Sequence, residues 1–133
     1  MNIIACIDNE FGISFNSRRQ SRDALVFEDI KHSIDKKIIY CNEYSVPILK
    51  EHGFSTAVVK SLSAVPNDGY YFLEDTMPAE FLSKINKFII YKWNKSYPKD
   101  KFIGIDFSKL SPISQTEIEG KSHKKITKEI YNL

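Results

Sequence analysis

What this chain lacks narrows it quickly. No stretch approaches the ~20 apolar residues that a membrane-spanning helix needs. No basic segment precedes the first apolar run, and Asp8 cuts that run short, so a secretory leader is not expected. Only Cys6 and Cys41 are available for disulfide chemistry, and both sit inside apolar runs. They read as buried free thiols in a reduced compartment, with one disulfide open if their strands are neighbours. With five glycines and five prolines, there is no Pro/Gly-rich linker, repeat or low-complexity tract to divide the chain. A large excess of charge is missing too. A net +2 argues against a dedicated nucleic-acid coat but permits a local basic patch. The expectation is one α/β domain over residues 1–133, cytoplasmic, with no membrane partner.

What is present suits a folded core: 42 % apolar and 13 % aromatic residues in a chain of 133. Residues 2–8 form a continuous apolar run, as expected of a strand buried on both faces. From Ser21 the spacing turns helical. Val26, Phe27, Ile30 and Ile34 share one face, with Glu28, Asp29, Lys31 and Lys36 elsewhere, and Ser21 or Asp23 is the candidate N-cap. Residues 37–41 read as a second buried strand. A short helix follows around 45–51, with Pro47 in its first turn and Gly53 past its end. Strands are expected at 56–59, 69–73 and 87–93. Pro78 should start a helix with Phe81, Leu82 and Ile85 facing inward. Alternating strands and short helices imply a largely parallel sheet. The last third reads as strands at 102–106, 114–119 and 125–131, with residues 119–122 as a hairpin turn. Ile126 and Ile130 would equally suit a terminal helix.

The densest chemistry lies between the first strand and the first helix: Asn16, Arg18, Arg19, Gln20, Arg22 and Asp23 within eight positions. Guanidinium forks bind carboxylates and phosphates bidentately, so three on one loop point to an anion. The competing reading is a solvated loop whose arginines pair with nearby acids. Asp23, ionised beside them, is a candidate catalytic or orienting carboxylate, or simply a helix cap. Trp93 and Tyr97 are candidates to stack on a ligand, among six lysines between Lys84 and Lys101. Ser122-His123-Lys124-Lys125 offers His123 as a general base, against the alternative of a surface-turn histidine.

The order of elements resembles the dihydrofolate reductase fold over nearly the whole chain. The segments that carry this are residues 2–8 with Gly12-Ile13, then Asp23 at the helix start, where the family has its substrate-binding carboxylate. Residues 69–73, Glu80-Phe81-Leu82 and residues 87–91 continue it, with a closing pair ending at Ile130-Tyr131. The resemblance implies a mixed sheet, mostly parallel with an antiparallel C-terminal end, flanked by short helices. It also implies a dinucleotide site, but there the motifs depart. Glu74-Asp75 stand where the family has paired glycines for the phosphates, Cys41-Asn42 where it has Gly-Arg, and the Trp of its first loop is missing. No cofactor is therefore expected, NADPH least of all.

The chain is also similar to small bacterial proteins carried under the label ribonuclease Z. The similarity runs through Phe15-Asn16 with residues 18–23, Trp93-Asn94 with Tyr97-Pro98, and Ser122-His123 with the tail from Ile126 to Tyr131. That enzyme needs clustered histidines and aspartates for two zinc ions. His32, His52 and His123 have no ligand at motif spacing, so no metal is expected. The reading is a reductase-like domain that binds an anionic or nucleotide-like small molecule. The alternatives are RNA binding or metal-independent RNA cleavage, and a non-catalytic protein-interaction module.

Overall fold

Ile3, Ile4, Ala5 and Ile7 are all buried because the first strand, β1 (Asn2–Ile7), runs through the interior of a sheet covered on both faces. Side chains alternate between faces, so such a strand must be apolar at consecutive positions. The structure is a computed structural model and describes residues 1–35 and 37–133. Lys36, expected on the outer side of the first helix, lies outside the described residues.

In chain order β1 is followed by β2 (Gly12–Phe15), β3 (Arg18–Arg19) and helix α1 (Ala24–Ser33). Then come β4 (Ile39–Cys41), helix α2 (Val46–Glu51), β5 (Thr56–Val58) and β6 (Tyr70–Phe72). The chain closes with β7 (Lys87–Lys92), β8 (Lys101–Phe102), β9 (Ser114–Ile118) and β10 (Ile126–Asn132). Seven strands make the main sheet in the order β5-β4-β6-β1-β7-β10-β9. The first five are mutually parallel, while β10 runs antiparallel to both β7 and β9. This is the mixed α/β sheet expected, with its antiparallel C-terminal end.

One face of the sheet is covered by α1. Val26, Phe27, Ile30 and Ile34, the stripe read from the sequence, pack on Ile4, Ile89 and Tyr91. The other face carries Ile3, Ala5, Phe88 and Ile90 and is covered by the segments around Met77, Ile103 and Phe107. The N-cap of α1 is Asp23, whose side chain accepts from the Leu25 N–H at 3.0 Å. Gly53 follows α2 at φ 82°, a left-handed conformation that stops the helix without a Cβ penalty.

Several expectations are corrected. The stretch after β1 is a hairpin, not an open loop: β2 pairs antiparallel with β3 through Asn16 and Ser17, both at positive φ. The segment after Pro78 is a 3-10 turn over Ala79–Lys84, and Leu82 points to solvent at 38 % exposure. The strand expected at 102–106 is only Lys101–Phe102, which edges the small β3-β2-β8 sheet. At the C-terminus the strand reading holds over the helical alternative: Ile126, Ile130 and Tyr131 pair with β7 or β9 as β10. Cys6 and Cys41 are free, and β6 separates their strands, so no disulfide can join them. Among the described residues no helix is long and apolar enough to cross a membrane.

The two faces of α1 give a direct test. Ile30→Ala opens a cavity under a fully buried side chain and should cost about 2–5 kcal/mol. Leu25→Ala, on a side chain 43 % exposed, should stay within about 0.5 kcal/mol. Urea denaturation midpoints read both.

Candidate functional site

Because β4, β6, β1 and β7 are parallel, their carboxyl ends open on one edge of the sheet, the usual place for a ligand in such folds. The residues just past those ends are Asn42, Glu74, Asp8 and Trp93. The β2–β3 hairpin and the start of α1 lie over them.

Asp23 is buried, and both of its oxygens are saturated. Oδ1 accepts from the Leu25 N–H at 3.0 Å and the Lys121 N–H at 2.9 Å. Oδ2 accepts from the Ser122 N–H at 2.8 Å, the Ser122 hydroxyl at 3.1 Å and the His123 N–H at 3.2 Å. His123 Nδ1 also stands 3.2 Å from Oδ2. Burial by itself would raise this carboxyl, but the Lys121 and Ser122 amides, the His123 ring and the Leu25 amide outweigh it. They hold it well below the ordinary carboxylate range. Gly120 makes the approach possible, since a Cβ there would fall 2.6 Å from Asp23 Oδ2 and 2.7 Å from the His123 carbonyl oxygen.

The anchored segment delivers His123 into the interior. It is 5 % exposed and stacks on Trp93 with ring centroids 4.6 Å apart, which corrects the surface-turn alternative. Nδ1 also has the Ser122 hydroxyl at 3.0 Å. Because ionised Asp23 can only accept, the tautomer that suits it carries the proton on Nδ1 and leaves Nε2 as the acceptor. Two hydroxyls face it, Ser21 Oγ at 2.9 Å and Tyr97 Oη at 3.0 Å. The fold thus brings Asp23, His123, Trp93 and Tyr97 together, with Ser21 completing the group.

The arginines distribute differently. Arg19 forms a two-pronged pair with Glu74, Nε to Oε2 at 2.8 Å and Nη2 to Oε1 at 2.9 Å, and lies 4.8 Å above the Tyr44 ring. Ser45 donates to the same carboxylate at 2.7 Å. Arg22 reaches Glu51 at 3.2 Å, both side chains being more than half exposed. Arg18 is exposed and pairs with no carboxylate among the described residues. Together with Ser21 and Tyr44, the three arginines line one open cleft of about 320 Å³. Arg19, Ser21 and Arg22 also wall a small inner cavity of about 20 Å³ that reaches Cys6, Gln20 and Trp93, space for about one water molecule.

Gln20 and Asn16 have structural partners. Gln20 Nε2 donates to Asp8 Oδ2 at 3.0 Å, leaving Oε1 buried with no donor among the described residues. Asn16 turns the hairpin and its N–H donates to Asp100 at 3.1 Å. Asp8, read from the sequence only as a strand end, accepts from the Glu10, Gly12 and Tyr97 amides and pairs with Lys99 at 3.1 Å. Of the six lysines between 84 and 101, Lys92 pairs with Glu129, Lys99 with Asp8 and Glu10, and Lys101 with Asp75. Among the described residues no group of three or more His, Cys, Asp or Glu side chains gathers to hold a metal. Sequence reasoning missed Ser21 as anything but a cap, and missed the roles of Tyr44 and Glu74. Serine within two residues of a capping aspartate carries no distinctive signal, and ion pairs across 55 positions leave none.

Asp23 has a consequence for pH. A carboxyl lowered in the folded state stabilises it above the unfolded pKa of about 3.9 and loses that contribution as pH falls. Stability should therefore hold from neutral pH to about pH 5 and fall steeply below about 4. Asp23→Asn should cost on the order of 3 kcal/mol at neutral pH and flatten the acid slope. Chemical denaturation across pH 3–7 reads both, and an unchanged slope would contradict the role given to Asp23.

Comparison with known proteins places the architecture but no function. No protein-family model matches the chain and no curated protein matches it. Among solved structures it is similar to the dihydrofolate reductase of Enterococcus faecalis, complexed with NADP(H) and RAB-propyl. The TM-score is 0.63 and the identity 10 %, over 99 % of this chain and 95 % of that one. The fold is dihydrofolate reductase-like.

Proposed function

We propose that this chain is a reductase-like binding domain that holds an anionic or nucleotide-like small molecule in the arginine cleft. The observation that supports this best is the convergence of Arg18, Arg19 and Arg22 on one open cleft at the carboxyl edge of the sheet. Its volume of about 320 Å³ falls within the range of small-molecule sites. Arg18 and Arg22 are the exposed arms. The Arg22–Glu51 pair is exposed and weak, so an anion displaces it at little cost. Arg19 presents its remaining N–H groups while Glu74 holds its orientation. Tyr44 offers an aromatic face beside the cleft, the place given to Trp93 and Tyr97 on the sequence alone, and those two rings pack on or bond to His123 instead.

The similar enzyme is complexed with NADP(H), but the residues of this chain do not fit a dinucleotide. Glu74 lies past β6, where the family has glycine amides for phosphate, with its carboxylate already bonded to Arg19 and Ser45. Asp75 follows it with an exposed carboxylate. Their side chains, paired with Arg19 and Lys101, stand where a pyrophosphate would need bare backbone amides, so the end of β6 does not suit a dinucleotide. RNA binding is the weaker alternative, since three of the six lysines assigned to it are paired with carboxylates.

A thermal-shift panel of nucleotides, sugar phosphates and polycarboxylates tests the reading. A true ligand at a hundred times its Kd adds about 2.7 kcal/mol of stability, a shift of several degrees. Arg18→Ala with Arg22→Ala should abolish the shift while leaving the unliganded Tm nearly unchanged. Arg19→Ala is a poor probe, because it strands Glu74 and destabilises the protein by itself. No stabilisation by any anion, together with RNA affinity that falls steeply with salt, would overturn the proposal in favour of RNA.

A further inference from the structure

We propose that Ser21 is a nucleophile, activated by His123 and positioned by Asp23, and that the arginine cleft presents it with a small ester carrying a carboxylate or phosphate group. The inference rests on the anion-binding reading of the cleft and adds a reaction to it. Three observations carry it. Ser21 Oγ lies 2.9 Å from His123 Nε2, and His123 Nδ1 lies 3.2 Å from Asp23 Oδ2, so nucleophile, base and orienting carboxylate stand in sequence. The ring cannot turn away, because it is buried, stacked on Trp93, and its backbone N–H is bound to the same carboxylate. The nucleophile is reachable, because Ser21 lines the open cleft beside the three arginines. Such a constellation is recognised by geometry and roles, not by fold or residue order.

A purely structural reading accounts for Asp23 as helix cap and loop anchor. It accounts also for a hydroxyl that satisfies the buried Nε2, a need the Tyr97 hydroxyl already meets, but not for a second hydroxyl there from a residue that lines a cationic cleft. In the reaction, Ser21 Oγ bonds to the acyl carbon while His123 Nε2 takes the hydroxyl proton. The bond to the leaving alkoxide breaks, and that oxygen departs with the proton from Nε2. Water then attacks the acyl carbon, gives a proton to Nε2, and Ser21 leaves as the hydroxyl when it recovers that proton. The guanidinium groups that line the cleft beside Ser21 are the donors at hand for the oxyanion. Tyr97 competes with Ser21 for the one lone pair on Nε2.

Incubation of the native protein with a fluorophosphonate, followed by intact-mass measurement and peptide mapping, tests the assignment. One adduct on Ser21 is expected, absent from Ser21→Ala and from wild type unfolded in urea. His123→Gln should slow it at least about 100-fold, and Tyr97→Phe should label as fast as wild type or faster. Inorganic phosphate should slow labelling of wild type but not of the Arg18→Ala, Arg22→Ala protein. Stabilisation by anions with no adduct on native Ser21 overturns the nucleophile and leaves the binding reading standing. An adduct that phosphate does not slow upholds the nucleophile and overturns the cleft as its substrate site. Labelling of native and unfolded protein alike shows ordinary serine reactivity and overturns the inference.

Discussion

The carboxylate of Asp23 joins two parts of the chain that lie a hundred residues apart, the start of α1 and the turn between β9 and β10. A buried charge is costly unless it is fully hydrogen-bonded, and here the loop of residues 121–123 folds its amides onto it. The same contacts place His123 against Trp93. Gly120 is part of the device, because any side chain there would occupy the space of the carboxylate. Helix start, closing hairpin and histidine therefore behave as one unit.

A second constraint sits on the opposite wall of the site. Glu74 takes hydrogen bonds from Arg19 and Ser45, and Arg19 in turn rests on Tyr44, whose hydroxyl accepts the Arg19 amide. This network ties the hairpin to the carboxyl ends of β4 and β6 and lines the inner cavity. It also divides the arginines by role: Arg19 is a strut that lines the cleft, Arg22 holds only an exposed pair with Glu51, and Arg18 pairs with no carboxylate among the described residues. A loop that looked uniformly cationic thus holds one arginine tied at a buried-side carboxylate and two at the exposed side.

The scaffold is shared with the dihydrofolate reductase of Enterococcus faecalis at 10 % identity, a level at which shape persists and chemistry need not. Sheet order depends on which positions are apolar, a condition many sequences meet. The loops past the strand ends are free of that demand, and here they carry acids where that family has phosphate-approaching glycines. The residues past the strand ends therefore differ on a shared scaffold.

The strands and the first helix were legible because burial leaves a periodic trace. Continuous apolar runs marked β1, β4 and β7, the spacing of Val26, Phe27, Ile30 and Ile34 marked α1, and Pro47 and Gly53 bounded α2. The β2–β3 hairpin left little trace, since Ser17 adopts a positive φ where glycine would have announced the turn. The site residues were visible as residue types that bind or transfer protons. Their partners were not: Asp23 finds His123 100 positions away, Arg19 finds Glu74 55 positions away, and Ser21 finds His123 at 102. Periodicity reports which side of an element is buried, an average over neighbours in the chain. Which hydroxyl meets which ring nitrogen depends on loop closure in three dimensions, and only the folded chain decides that.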